Sequence, residues 1–352
     1  MLDFSQSPFL VIWETTQACD LACRHCRASA RPDRDSSELS TEEAKRLLRE
    51  VKSFGDPLFV FTGGDPLKRD DLFELISYSV SLGLRTTVTP SATPLLTADA
   101  VRRFKERGVA RMAVSLDGWD AAAHDDFRQV AGSYQCTIDA LRAARECGLE
   151  TQINTTVTRR NMQTLDRIAK VVEEEGSKLW SVFFLVVTGR AQLDDDLTAE
   201  EYEQVFEFLY QTSLRAPFDI KTTEAQHYRR YVAQRRKQDG SKARIPSFGI
   251  NDGRGFVFVS HRGEIYPSGF LEVSGGNIRT GSLVDAYRNT SLFKVLRDAD
   301  SFEGKCGGCE YRNLCGGSRS RAYALTGNYL ESDPRCVYVP PSHQRSAQAP
   351  AA

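Results

Sequence analysis

The stretch FLVIWETTQACDLACRHC, Phe9 to Cys26, decides how the rest of the chain is read. Its first half is an apolar run rich in β-branched and aromatic residues, which fits a strand. Its second half sets Cys19, Cys23 and Cys26 in the spacing C-x3-C-x2-C directly after that strand. Three thiols this close can wrap one loop around one metal centre. Structural zinc sites want four ligands, and His25, adjacent to Cys26, would point away from it. Cuboidal 4Fe-4S clusters normally take four thiolates. A three-cysteine site therefore leaves one iron open to an exogenous ligand.

Further strand-like runs follow: PLFVFTGG from Pro57, LRTTVTPS from Leu84, ARMAVSLDG from Ala110, TQINTTVT from Thr151 and SVFFLVV from Ser181. Between them lie helical segments. TEEAKRLLREV follows Ser40, with Glu43 three residues on in a capping-box arrangement. Others are DDLFELISYSVSL, TADAVRRFKERG, SYQCTIDALRAAREC and MQTLDRIAKVVEEE, several ending at a glycine (Gly83, Gly108, Gly148, Gly176) that suits a helix C-cap. Six strands each followed by a helix read as a (β/α)6 array with a parallel sheet. That is too few for a closed eight-fold barrel, so the expectation is an α/β partial barrel with its ligand at the C-terminal strand ends. Beyond Asp194–Asp196 the pattern changes: TAEEYEQVFEFLYQTSL and the residues from Glu224 to Arg236 read as helices, and GFVFVSHRGEIYP as a hairpin turning near His261-Arg262-Gly263. The final PPSHQRSAQAPAA reads as disordered.

The chain has 352 residues, 41% of them hydrophobic, and a formal net charge of −1. That balance predicts no nucleic-acid partner. No run of eighteen apolar residues suggests a membrane span, and no basic, apolar leader precedes Phe9, so a cytoplasmic location is expected. Nine cysteines in a reducing compartment point to metal binding or catalysis rather than disulfides. Cys136 and Cys147 stand apart on a predicted helix and read as packing residues.

Two further features carry chemistry. After the second strand, Gly63-Gly64-Asp65-Pro66 joins two glycines, which let backbone approach a ligand closely, to a carboxylate that can accept from an ammonium group. Near the C-terminus, Cys306, Cys309, Cys315 and Cys336 form a full ligand set for which zinc and iron–sulfur are both feasible.

On these residues the chain resembles the radical S-adenosylmethionine superfamily with a C-terminal twitch or SPASM-type auxiliary cluster domain. The C-x3-C-x2-C loop after the first strand and the GGDP turn after the second are specific when they occur together in such an array. The resemblance covers about Phe9 to Tyr338. It implies a radical-generating 4Fe-4S cluster on Cys19, Cys23 and Cys26, whose open iron chelates S-adenosylmethionine, and a 5′-deoxyadenosyl radical that takes a hydrogen atom from substrate. It implies a methionine-amine site at Gly63, Gly64, Asp65 and Pro66, where the family usually has Glu in place of Asp65. Ser91, Ser115, Asp117 and Asn154, at the tips of strands three, four and five, become candidates for the ribose and the methionine carboxylate, with Arg128 and Arg159 as carboxylate partners. It implies a second, auxiliary 4Fe-4S cluster on Cys306, Cys309, Cys315 and Cys336. Longer relatives with two auxiliary clusters carry a cysteine after the Tyr-Pro pair; here Ser268 stands there, so one auxiliary cluster is expected.

The resemblance divides the chain into a core (1–195), a helical connector (196–252), a small α+β iron–sulfur domain (253–340) and a disordered tail (341–352). A fully ligated auxiliary cluster suits electron relay and hence a net oxidation such as decarboxylation, dehydrogenation or crosslinking. The C-terminal pattern is similar to the radical enzymes that trim tetrapyrrole side chains in alternative haem and denitrification haem synthesis. KTTEAQHYRR, Lys221 to Arg230, resembles the same group, making His227, Arg229 and Arg230 candidates to meet substrate carboxylates. Enzymes with the same modules modify ribosomal peptides, many with a small recognition domain that does not precede strand one here, which favours a non-peptide substrate. A flavodoxin or ferredoxin is the expected electron donor. A non-catalytic metal-cluster binding or sensing protein is the alternative of another class.

Overall fold

Strand β1 (Leu10–Glu14) pairs in parallel with β2 (Leu58–Thr62) on one side and with β8 (Phe256–Val259) on the other. The computed structural model describes residues 3–245 and 249–346. From β2 the sheet continues through β3 (Arg85–Val88), β4 (Arg111–Ser115), β5 (Thr151–Val157), β6 (Leu179–Phe184) and β7 (Asp219–Thr223). Beyond β8 lies β9 (Ile265–Tyr266), antiparallel to it, giving the order β7-β6-β5-β4-β3-β2-β1-β8-β9. The sheet curls into a partial barrel, so the expected α/β architecture is found.

The connecting helices are α1 (Thr41–Lys52), α2 (Leu72–Ser81), α3 (Ala98–Glu106), α4 (Ala121–Arg128), α5 (Ser133–Glu146) and α6 (Leu165–Glu174). Ser40 caps α1 in a reciprocal box: Ser40 Oγ accepts from the Glu43 N–H, and the Glu43 carboxylate accepts from the Ser40 N–H at 2.8 Å. Alternate strand residues, among them Val11, Trp13, Phe59, Phe61, Met112 and Ile153, are fully buried in one core with Leu47, Leu48, Ile76, Phe104, Leu141 and Ile168 from the helices. Each such side chain contributes roughly 1.5–3 kcal/mol on burial. The other strand face stays open: on β5, Gln152, Asn154 and Thr156 are half-buried while their neighbours are buried.

Three expectations are corrected. The connector is not purely helical, because between α7 (Ala199–Ser213) and α8 (His227–Asp239) the residues Asp219–Thr223 add β7 to the edge of the sheet. Its sequence, DIKTT, has no apolar run because an edge strand has no fully buried face. The hairpin of β8 and β9 continues the barrel sheet through β1 instead of standing apart. At the C-terminus, α9 (Leu283–Asn289), α10 (Ser291–Arg297), α11 (Gly304–Gly307) and α12 (Arg319–Thr326) are followed by a short helix α13 (Pro341–Ser346) where disorder was expected; the rest of that tail, 347–352, lies outside the described residues. Among the described residues no helix is long and apolar enough to cross a membrane.

Candidate active site

The Cys19–Cys26 loop leaves the C-terminal end of β1 and is held on three sides. The Cys19 N–H donates to Arg31 O at 2.8 Å, closing the loop on its own return. On a second side lies the turn after β2: the Gly64 N–H donates to Thr16 O (2.7 Å) and the Asp65 N–H to Ala18 O (2.6 Å). A Cβ on Gly64 would sit 2.4 Å from Ala18 O, so glycine is required there. The close approach that the paired glycines permit is to the chain's own cysteine loop. The third side was not anticipated. After β6, Arg190 donates from Nε to Cys23 O (2.9 Å) and from Nη1 to Ala30 O (3.0 Å), and its N–H reaches Cys26 O at 3.0 Å. The sequence signal was Gly189-Arg190 at a strand tip, a pair too common to single out.

Each sulfur of this loop has a donor or acceptor of its own. The Leu21 N–H donates to Cys19 Sγ (3.4 Å), Arg128 Nη1 to Cys23 Sγ (3.5 Å) and the Ala30 N–H to Cys26 Sγ (3.4 Å), while the Cys19 thiol reaches Ser91 Oγ at 3.3 Å. Glu14, at the end of β1, pairs with Arg27 beside Cys26 and with His261 Nδ1 at 2.8 Å, which ties the loop to the β8–β9 turn. A carboxylate ending an apolar strand run was the available clue.

Asp65 is fully buried, and its oxygens accept from Thr93 Oγ1 (2.8 Å), the Leu67 N–H (3.1 Å) and the Ser91 N–H (3.4 Å). Burial pushes its carboxyl up to about 6. It therefore faces the loop after β3 and not an open cleft, and Pro66 starts a short 3-10 turn behind it. Ser91 Oγ donates to Gly64 O at 2.7 Å. Asp117 is likewise engaged: it pairs with Arg128 and accepts from the Thr156 N–H at 2.7 Å, and burial raises its carboxyl above the usual carboxylate range. Arg128 thus meets a carboxylate of its own chain. Arg159 lies on the surface, 3.7 Å from Glu201. Ser115 and Asn154 stand side by side on the open face, and the same row continues through Ser181 to Lys221.

Cys306, Cys309, Cys315 and Cys336 line one cavity with His227 and Arg230. Here too N–H groups meet sulfur: Gly317 to Cys315 (3.3 Å), Arg319 Nη2 to Cys306 (3.6 Å), Tyr311 to Cys309 and Tyr338 to Cys336. Gly317 has φ +64°, and a Cβ on it would lie 2.8 Å from Asp333 Cβ, so the Gly-Gly after Cys315 shapes this wall.

The three expected substrate contacts are corrected. His227 is completely buried, stacked on Tyr202 and 3.6 Å from Asp333. Arg229 donates to Ile250 O (2.6 Å) and Leu314 O (3.4 Å); Arg230 pairs with Glu203. They hold the four-cysteine segment against the connector because α8 turns their face inward. Ser268 donates to Glu224 Oε1 at 3.3 Å.

A family model described as the radical SAM superfamily matches residues 13–172. An AdoMet-dependent heme synthase of Nitratidesulfovibrio vulgaris is 40% identical over 347 residues, covering 96% of this chain and 94% of that one. The chain belongs to the radical SAM superfamily. A PqqA peptide cyclase of Rhodopseudomonas palustris is 28% identical, over 98% of this chain and 91% of the cyclase. The crystal structure of Streptococcus suis SuiB bound to S-adenosylmethionine matches in fold with a TM-score of 0.75 at 18% identity, over 95% of this chain and 78% of that one.

The chain is therefore a radical SAM enzyme, of a family that uses a 4Fe-4S cluster and S-adenosylmethionine. The donor sets fit such clusters. Burial pushes the thiols of Cys19 and Cys336 up to about 11 and that of Cys315 higher. Coordination to a metal cation would draw off those protons, and the N–H groups aimed at sulfur suit the resulting thiolates. Among the described residues no three His, Cys, Asp or Glu side chains converge on the position of one ion. A cluster spreads its thiolates over several iron corners and has no need of such a point.

Proposed function

We propose that this radical SAM enzyme oxidatively remodels a carboxylate-bearing side chain of a tetrapyrrole, a propionate or acetate. The reading is carried by the two cysteine sets, three sulfurs at the tip of β1 and four in the C-terminal segment, in a chain 40% identical to an AdoMet-dependent heme synthase across nearly its full length. Cys19, Cys23 and Cys26 would hold the first cluster, and Cys306, Cys309, Cys315 and Cys336 the second. When bound, these clusters and S-adenosylmethionine supply one-electron chemistry: a radical that removes a hydrogen atom and a sink for an electron.

The chain's own residues do the positioning. Arg190 and the Gly63-Gly64 turn fix the cysteine loop, and the loop N–H groups favour thiolate. Ser115 and Asn154 present polar side chains to the open face where S-adenosylmethionine and substrate would meet. A cytoplasmic setting and a flavodoxin or ferredoxin donor belong to the same proposal. Peptide maturation is the second reading, supported by the PqqA peptide cyclase relative.

The test is anaerobic reconstitution with iron and sulfide, followed by dithionite, S-adenosylmethionine and an iron porphyrin bearing four propionates. Formation of 5′-deoxyadenosine with loss of carboxyl mass from the porphyrin is expected. Cys19→Ala, Cys23→Ala and Cys26→Ala should each abolish both. Retained cleavage of S-adenosylmethionine in those variants would overturn the assignment of the first site, and an unchanged porphyrin beside wild-type cleavage would favour a peptide.

A further inference from the structure

Lys221 sits in the middle of β7, opposite Ser181 of β6, which in turn faces Asn154 of β5 and then Ser115 of β4. This row lies on the open face of the sheet. Packing covers that face only in part: Ser181 is fully buried, but Ser115, Asn154 and Lys221 are half-buried, whereas Val114, Ile153 and Trp180 on the opposite face are fully buried.

Among the described residues the Lys221 side chain has no ion-pair or hydrogen-bond partner. That sets it apart from the arginines of its own segment, because Arg229 is consumed by backbone carbonyls and Arg230 by Glu203. The nearest charge to influence Lys221 is Arg111 of β4, of the same sign, and Arg111 is itself paired with Glu150 at 2.9 Å. A half-buried cation without a counter-ion is only partly hydrated, and an arriving anion supplies the missing partner. Two strands further along the row, beyond the buried Ser181, Asn154 Oδ1 accepts from Gln152 Nε2 at 2.7 Å, which leaves the Asn154 amide hydrogens as donors.

We propose that Lys221, with Asn154 as a further donor in the same row, is the subsite that receives a substrate carboxylate on the open face of the sheet. The inference rests on the tetrapyrrole reading and assigns to Lys221 the role that the sequence suggested for His227, Arg229 and Arg230. Burial lowers the Lys221 ammonium to about 8, so it stays mainly charged at neutral pH. An inward lysine on an edge strand can instead serve only to discourage pairing with another chain, and the experiment separates the two roles.

Cluster-reconstituted full-length protein is titrated with metal-free coproporphyrin, which carries four propionates, and with its uncharged tetramethyl ester, following the porphyrin absorbance. Wild type is expected to prefer the tetra-acid. Lys221→Met should weaken tetra-acid binding about ten-fold or more, the scale of a lost charged contact, and leave the ester unchanged. Lys221→Arg should keep the preference. Because Lys221→Met removes an unpaired, partly desolvated charge, its Tm should not fall below that of wild type. Equal tetra-acid binding by Lys221→Met and wild type would overturn the subsite while leaving the tetrapyrrole reading intact. Failure of wild type to bind either porphyrin would remove the tetrapyrrole reading and this subsite with it.

Discussion

Arg128 joins Asp117 to Cys23: its guanidinium pairs with the buried Asp117 carboxylate and donates from Nη1 to Cys23 Sγ at 3.5 Å. The contact links the tip of β4, the end of α4 and the cysteine loop. Removing one member of such a buried pair leaves an uncompensated charge and costs about 3–5 kcal/mol. Arg128→Met should therefore lower Tm sharply and reduce the iron retained per chain after anaerobic desalting. Adding Asp117→Asn to it should restore much of the stability but not the donor to Cys23, so iron retention stays low. A double variant with wild-type iron would show that the Cys23 contact is incidental.

The glycine turn makes a sharper steric prediction. Gly64→Ala puts a methyl group 2.4 Å from Ala18 O and 2.6 Å from Gln17 O, so the cysteine loop must move. Gly281→Ala is the control, since its added Cβ meets only Asn277 O at 3.6 Å, an ordinary contact. Iron content and the visible cluster absorbance should fall by about half in Gly64→Ala, the share of one of two 4Fe-4S clusters, and stay unchanged in Gly281→Ala.

The β1 run and the cysteines after it were legible because a buried parallel strand is apolar throughout and thiols have few other uses in such a loop. Six strands and the capping box at Ser40 followed from local pattern. β7 was not legible: a five-residue edge strand with threonines and a lysine carries no strong period. Nor could local sequence say that Arg128 is buried while Arg159 is exposed, or that Asp65 turns inward, since each depends on which loop packs above it. His227, Arg229 and Arg230 read as candidates to meet substrate carboxylates but find partners within the chain, because a helix face turned toward the four-cysteine segment reads the same as one turned toward a ligand.

Glu224 gives a prediction in pH. It follows β7 with φ +56°, is 4% exposed, and accepts hydrogen bonds from Ser318, Ser320 and Ser268, while Arg321 donates to its backbone oxygen. Burial, and then the neighbouring Asp252, push its carboxyl up to about 8. An unfolded Glu loses its proton near pH 4.3, so from roughly there to pH 8 the native state holds the extra proton and stability falls as pH rises. Glu224→Gln retains the neutral shape and removes the titration. Its Tm should exceed that of wild type at pH 9, by about 1–2 °C per kcal/mol recovered in a chain of this length, and converge with it toward pH 5. A gap independent of pH would mean that the carboxyl does not titrate in this range.

Cys309 tests the division of labour between the two cysteine sets. It lines the cavity with Cys306, while Cys315 and Cys336 complete it from later segments, and Arg319 and Gly317 supply N–H groups to the sulfurs of Cys306 and Cys315. Replacing one of the four proposed ligands should cost the second cluster without touching Arg190, Gly64 or the β1 loop, which do not line this cavity. Cys309→Ala should therefore lose about four irons per chain, the content of one 4Fe-4S cluster. It should still cleave S-adenosylmethionine to 5′-deoxyadenosine, yet form modified substrate more slowly by about ten-fold or more, a barrier increase of roughly 1.4 kcal/mol. Bound zinc falling in place of iron would reassign the four cysteines to a structural metal. Full product formation with the irons gone would show that the second cluster plays no part in the oxidation.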